Sequence, residues 1–204
     1  MIQPLRQRLE QEKGKIAQVH SDKVEATNHL SNLNTLKLII EQAQIIFQTV
    51  AKATQSELSW YINDMVTAAI EAVFPEDRFQ FYLEFVQRRG RTEADLFLAD
   101  AKGNRIKPSD ADGGGLVNVV AFALRVALWS LTKSSRATFI CDEPFVFLHS
   151  REAHTKVAEL LKTISEKLQL QIIMVTGEDE SQEIIEGADK VIRVKKTKGV
   201  STII

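Results

Sequence analysis

The stretch Ala137-Thr138-Phe139-Ile140-Cys141-Asp142-Glu143-Pro144 decides the fold. Its first five residues form a short apolar run, the pattern of a strand covered on both faces of a parallel sheet. Two carboxylates follow directly. The carboxyl end of such a strand is where open α/β sheets receive their ligands. Taken alone, an apolar strand ending in Asp-Glu is explained as well by a capping pair for the next segment. What stands around it decides.

About thirty residues upstream lies Gly113-Gly114-Gly115, a glycine turn opening an apolar helix over about Leu116 to Lys133. Free N–H groups and the positive dipole end of a helix start suit a phosphate. About thirty residues downstream, after a helix at about Arg151 to Leu168, comes a second apolar strand, Gln171 to Thr176. A short helix near Ser181 to Glu186 and strands at Lys190 to Val194 and Val200 to Ile204 complete this part. Upstream, Arg78 to Gln87 and Thr92 to Ala99 alternate with period two around the turn Arg88-Arg89-Gly90-Arg91, a hairpin signal. Alternating strands and helices make residues 75–204 an α/β lobe.

Residues 1–74 read differently. No proline occurs between Pro4 and Pro75, and Gly14 is the only glycine there. Apolar residues recur at alternating three- and four-residue steps: Ile2, Leu5, Leu9, Ile16, Val19, Ala26, Leu30, Leu33, Ile40, Phe47 and Ala51. The skipped slots hold Glu12, Lys23, Lys37 and Gln44, so eleven of fifteen seam positions are apolar. That is a heptad seam, and a coiled-coil stalk is expected. The helix should end near Phe74-Pro75, because proline biases its predecessor away from helix.

Composition removes several classes of function. Lys+Arg total 26 against 27 Asp+Glu, so no global basic field attracts nucleic acid and any DNA contact must be local. Arg88-Arg89-Gly90-Arg91 and Lys195-Lys196-Thr197-Lys198 are the local candidates, although a solvated turn and tail explain them too. The single cysteine, Cys141, and four scattered histidines leave no disulfide and no zinc cluster. A polar N-terminus and the lack of a long apolar run predict a cytoplasmic protein without a membrane segment. Trp60, Tyr61 and Trp129 fall at helical apolar positions and are expected in the core.

In their order, the glycine turn, the helix containing Ala123-Leu124-Arg125, the strand with Asp142-Glu143-Pro144, the helix, and the strand with its acidic turn resemble a known design. They look like the C-terminal lobe of an ABC-type ATPase head of the SMC and SbcC-like DNA-repair class. More narrowly they are similar to short phage and prophage repair-ATPase-like proteins, over essentially the whole chain. The resemblance implies ATP and Mg²⁺ as cofactors. Gly114-Gly115 match the paired glycines of the signature loop, with Gly113 in place of its serine and Leu116 in place of its Glu or Gln. Arg125 matches the arginine of the signature helix. Asp142 matches the Walker B acid that holds the metal, and Glu143 the catalytic glutamate. His149, after Leu148, replaces the acid of the D-loop, and Gly177 stands where the switch histidine belongs.

The resemblance also exposes a gap: the sequence contains no GxxxxGK[ST] loop to wrap the β-phosphate. The implied function is a half-head in DNA repair or recombination that takes its P-loop from elsewhere. The expected partners are a second copy or another coiled-coil chain, a P-loop-bearing chain, a nuclease and DNA. The alternative is a scaffold that kept lobe and coiled coil but lost catalysis.

Overall fold

The computed structural model describes residues 2–110, 114–132, 136–177 and 182–204. After Thr54 the chain divides into two compact units. The first is built by helix α1 (Gln3–Val73), whose residues from Gln55 onward belong to the second unit. Pro4 sits in the first turn, where its missing N–H costs no hydrogen bond. The exposed pairs Lys13–Glu10 (2.9 Å) and Lys15–Glu12 (2.8 Å) add little stability. The seam is bare in the single chain: Leu5 is 67% exposed and Ile16 69%.

In the second unit, Ile62, Val66, Ala69, Ile70 and Val73 line one face of α1 and are buried. They join one core with Phe81, Leu83 and Leu98 of an antiparallel hairpin, strands β1 (Gln80–Arg88) and β2 (Arg91–Ala99). Its two-residue turn, Arg89-Gly90, has positive φ at both positions (50° and 75°), the twist that suits a hairpin. The outer edge of β1 is closed by α1, where Asn63 Oδ1 accepts from Leu83 N (2.7 Å) and Thr67 Oγ1 from Phe81 N (3.0 Å). A two-residue strand, β3 (Arg105–Ile106), pairs with β2.

Helix α2 (Gly114–Thr132) crosses this core with eight buried residues, Phe122 among them at 1% exposure. It is the one helix among the described residues whose length and composition would let it cross a membrane. The sequence reading had excluded any such run, but the burial marks it as a core helix. Tyr61 on α1 and Ser130 on α2 share a hydrogen bond of 2.8 Å. Trp60, expected in the core, is 69% exposed; Tyr61 and Trp129 are half-buried. One residue of helical phase, about 100°, separates Trp60 from the buried face.

The parallel pair is β4 (Thr138–Asp142) and β5 (Gln171–Val175), joined through α3 (Arg151–Leu168). The Ser150 hydroxyl caps α3, and Gln169 ends it in the left-handed conformation. Phe139, Cys141, Ile172 and Met174 pack toward the core. The opposite face contradicts the expected two-sided cover, with Ile140 77%, Ile173 45% and Val175 57% exposed. Helix α4 (Gln182–Glu186) follows.

The last two strands also differ from expectation. They are β6 (Val194–Thr197) and β7 (Val200–Ile203), an antiparallel hairpin separate from the parallel sheet. Lys198 and Gly199 turn it with φ of 49° and 84°, which moves the strand start from Lys190 to Val194.

Candidate functional site

The carboxylates sit where a parallel strand gives way to a tight turn. Asp142 pairs with Val175 at the end of the ladder, and Glu143 N still donates to Val175 O at 2.9 Å. Glu143 then adopts φ of 41°. That left-handed conformation is uncommon for a side-chain-bearing residue and is further disfavoured before proline, so strain is concentrated at the glutamate. The surroundings hold it in place. Phe145 and Leu148 are buried at 3% and 4% exposure, and Leu148 N donates to Phe145 O at 2.9 Å. Phe145 lies 5.4 Å from Phe122 of α2, centroid to centroid.

Both acidic side chains are exposed, and neither takes a hydrogen bond or ion pair among the described residues. Their oxygens are therefore free for a cation. No group of three or more metal-ligating side chains exists among the described residues. Two carboxylates with the remaining positions left to water and phosphate is the way Mg²⁺ is commonly held, so the pair fits that ion.

Gly114 and Gly115 lie close to the same loop. Gly113 lies outside the described residues. Gly114 opens α2, and a Cβ there would fall 2.6 Å from Cβ of Phe147. At Gly115 it would fall 2.8 Å from Leu148 Cδ1 and 3.1 Å from Phe147 O. The glycines thus seat the helix start against the segment that follows Glu143. Asn118 Oδ1, one turn on, accepts from Phe147 N at 3.3 Å and tethers that segment. The sequence reading missed Asn118; its signal was a lone amide in the apolar run Gly114 to Leu124. Beside them a cleft of about 180 Å³ is lined by Gly115, Leu148, His149, Ser150 and Asp77 among others. That is smaller than sites enclosing a typical organic ligand, roughly 300 Å³ and upward.

The other singled-out residues scatter. Arg125 is exposed and forms no ion pair among the described residues; its charge opposes the rise that burial imposes on the Cys141 thiol. His149 is exposed, while His154 is buried with Nδ1 3.6 Å from Glu183 Oε2 and no partner for Nε2 among the described residues. The Glu183 carboxyl is held below its ordinary range by its own backbone N–H at the start of α4 and by Arg151. Arg88 is engaged by Glu93 and Asp95 rather than left open for a phosphate. Gly177, half-buried, lies two residues past the end of β5.

A long helix entering a lobe, a hairpin, and a parallel pair ending in two acids beneath a glycine-led helix define the fold as that of SMC ATPase heads. The chain is distantly similar in sequence to Rad50 ATPases and shares the fold of SMC head domains. It is 27% identical over 179 residues, 86% of its length and 19% of the relative's, to the DNA double-strand break repair Rad50 ATPase of Sulfolobus acidocaldarius. It is 32% identical over 109 residues, 53% of its length and 12% of the relative's, to that of Saccharolobus solfataricus. The chain thus spans less than a fifth of the length of these relatives. An Smc head domain with a coiled coil and joint from Pyrococcus yayanosii matches with a TM-score of 0.62 at 20% identity, covering 82% of this chain and 31% of that one. A chain from work on ATP-driven dimerization and DNA-stimulated activation of SMC ATPases matches with a TM-score of 0.57 at 18% identity, covering 75% and 87%. No protein-family profile matches.

Proposed function

We propose that this chain is the C-terminal half of an ATPase head acting in DNA repair or recombination, and that a P-loop lobe outside this sequence completes its nucleotide site. The observation that carries this is the face of β4 and β5, with Ile140, Ile173 and Val175 exposed, beside two carboxylates at the strand end that have no partner among the described residues. An apolar sheet face beside free acids is what a site lacking its second wall presents. ATP with Mg²⁺ supplies the phosphoryl chemistry when bound. Asp142 would hold the ion, Glu143 would orient and polarise the attacking water, and Gly113, together with Gly114 and Gly115 at the start of α2, would meet a phosphate through backbone N–H groups. The related Rad50 proteins act on double-strand breaks, which makes DNA, a nuclease and a second head the partners to seek. The single, partly buried Cys141 suits a cytoplasmic setting.

The test is nucleotide binding and Mg²⁺-dependent hydrolysis by the chain alone and with candidate P-loop-bearing chains, beside Glu143→Gln. Turnover only in the mixture, lowered about a hundredfold or more by Glu143→Gln, is expected. Equal turnover by the isolated chain rejects the half-head. A second reading, a scaffold without catalysis, is favoured by Gly177 at the switch position and by glycines whose space is taken up by Phe147 and Leu148. Absence of nucleotide binding with every pairing selects it.

A further inference from the structure

The exposed seam of α1 carries a pattern of charge that selects its occupant. Continued as heptads, Ile2, Leu9, Ile16, Lys23, Leu30 and Lys37 take position a, and Leu5, Glu12, Val19, Ala26, Leu33 and Ile40 take position d. In a parallel, in-register pair of copies each seam residue meets its own counterpart. Glu12 would face Glu12, Lys23 face Lys23 and Lys37 face Lys37, while flanking Arg8 would lie against Lys13. Every charged layer is then repulsive.

Reversing one copy changes all of this. Position a then faces position d, and one register matches every layer over residues 2–33. Ile2 meets Leu33, Leu5 meets Leu30, Leu9 meets Ala26, Glu12 meets Lys23 and Ile16 meets Val19, each twice by symmetry. The flanking Lys15 and Asp22 of the two copies also come opposite one another. Sliding the copies to overlap residues 2–47 sets Glu12 against Lys37, but strands Gln44 on Leu5 and Lys23 on Ala26. Eight of the ten seam residues in the shorter register are apolar, and in the single chain they are open: Ile2 70%, Leu9 55%, Val19 66% and Leu30 59% exposed. Gly14 falls at the outermost heptad position, with nothing within 4 Å of a Cβ built on it.

We propose that two copies of this chain pair antiparallel along residues 2–33, with Glu12 of each facing Lys23 of the other. In the single chain Glu12 lies 2.8 Å from Lys15 in an exposed pair one turn along. Such a pair is readily extended to a second cation. This self-pairing does not rest on the nucleotide site.

The full chain is measured by sedimentation equilibrium, with circular dichroism to verify that each variant keeps its helix. Glu12→Lys and Lys23→Glu should each weaken the dimer about tenfold or more, and the double variant should return to within about threefold of the parent. Spin labels on Gln3→Cys in a Cys141→Ser background then read the register. At a rise of about 1.5 Å per residue, the proposed pairing puts the labels roughly 44 Å apart along the axis, the 2–47 overlap roughly 65 Å, and a parallel pair under about 20 Å. A monomer at about 100 µM, failure of the double variant to recover, rescue by Glu12→Lys with Lys37→Glu instead, or either of the other two distances overturns the proposal.

Discussion

The three-stranded antiparallel sheet and the parallel pair of the second unit are finished in opposite ways. On the antiparallel sheet, the face turned from the core is closed by polar chemistry. Arg88 bridges Asp95 and Glu93, Arg105 pairs with Glu84 and lies 4.2 Å over the Phe97 ring, and Tyr82 stacks on Phe97 at 5.2 Å. On the parallel pair, the same position in the architecture is held by Ile140, Ile173 and Val175, left exposed among the described residues. Solvent-facing strands ordinarily carry charge, and exposed apolar faces mark contact surfaces. One sheet is complete as a surface and the other leaves an apolar face exposed.

The largest effect should come from striking the core beneath both sheets. Phe122 is 1% exposed and contacts Phe139 and Phe145, so Phe122→Ala should cost about 3–5 kcal/mol in urea unfolding. Ile140→Ala, on the open face, should change the stability of the isolated chain by less than about 0.5 kcal/mol. With a P-loop lobe bound, the same substitution should cost affinity. Equal losses for the two variants in the isolated chain would show that the open face is packed, and the contrast would collapse.

A middle tier tests how each sheet is tied to its neighbours. Gly114→Val puts side-chain atoms on the Phe147 Cβ and should cost about 1–3 kcal/mol, with Gly115→Ala milder because Leu148 Cδ1 is the free end of a flexible chain. Asn63→Ala leaves the buried Leu83 N–H without its acceptor at the edge of β1 and should cost about 1–2 kcal/mol. If Gly114→Val is as stable as the parent, the loop after Glu143 is not seated on α2. The account of its strained backbone then fails with it.

How much of this was legible follows from the range of the forces involved. Helix α3 spans the very residues its pattern indicates, because its cap at Ser150 and its stop before Leu170 are local. The acidic strand end was legible for the same reason, as was the first hairpin with its Arg-Gly turn. The second hairpin was misplaced although Lys198-Gly199 gives the same signal, since the apolar residues Val191 and Ile192 before it read as a strand. The open face of β4 could not be read: an apolar run looks the same whether its second cover lies in this chain or in another. Nor could the second role of Gly114 and Gly115. Their need for a bare backbone is set by Phe147 and Leu148, which reach them only through the fold.

The smallest effect belongs to the polar cover itself. Arg88 holds the Asp95 carboxyl below its ordinary value of 3.8, chiefly by hydrogen bonding. A carboxyl whose folded value is depressed adds stability that is fully present above its unfolded value and is lost as pH falls through the folded one. Asp95→Asn should therefore be slightly less stable than the parent at pH 7, and the gap should close as the pH drops below about 3.8. Both groups are solvent-exposed, so the difference in unfolding midpoint should be small and should shrink with added salt. The expectation is sharp in sign: a gap that widens on acidification would mean that Asp95 is strained by its neighbours. The outer face of the antiparallel sheet would then be held by Tyr82, Phe97 and Arg105 instead, an aromatic closure with the charges as bystanders.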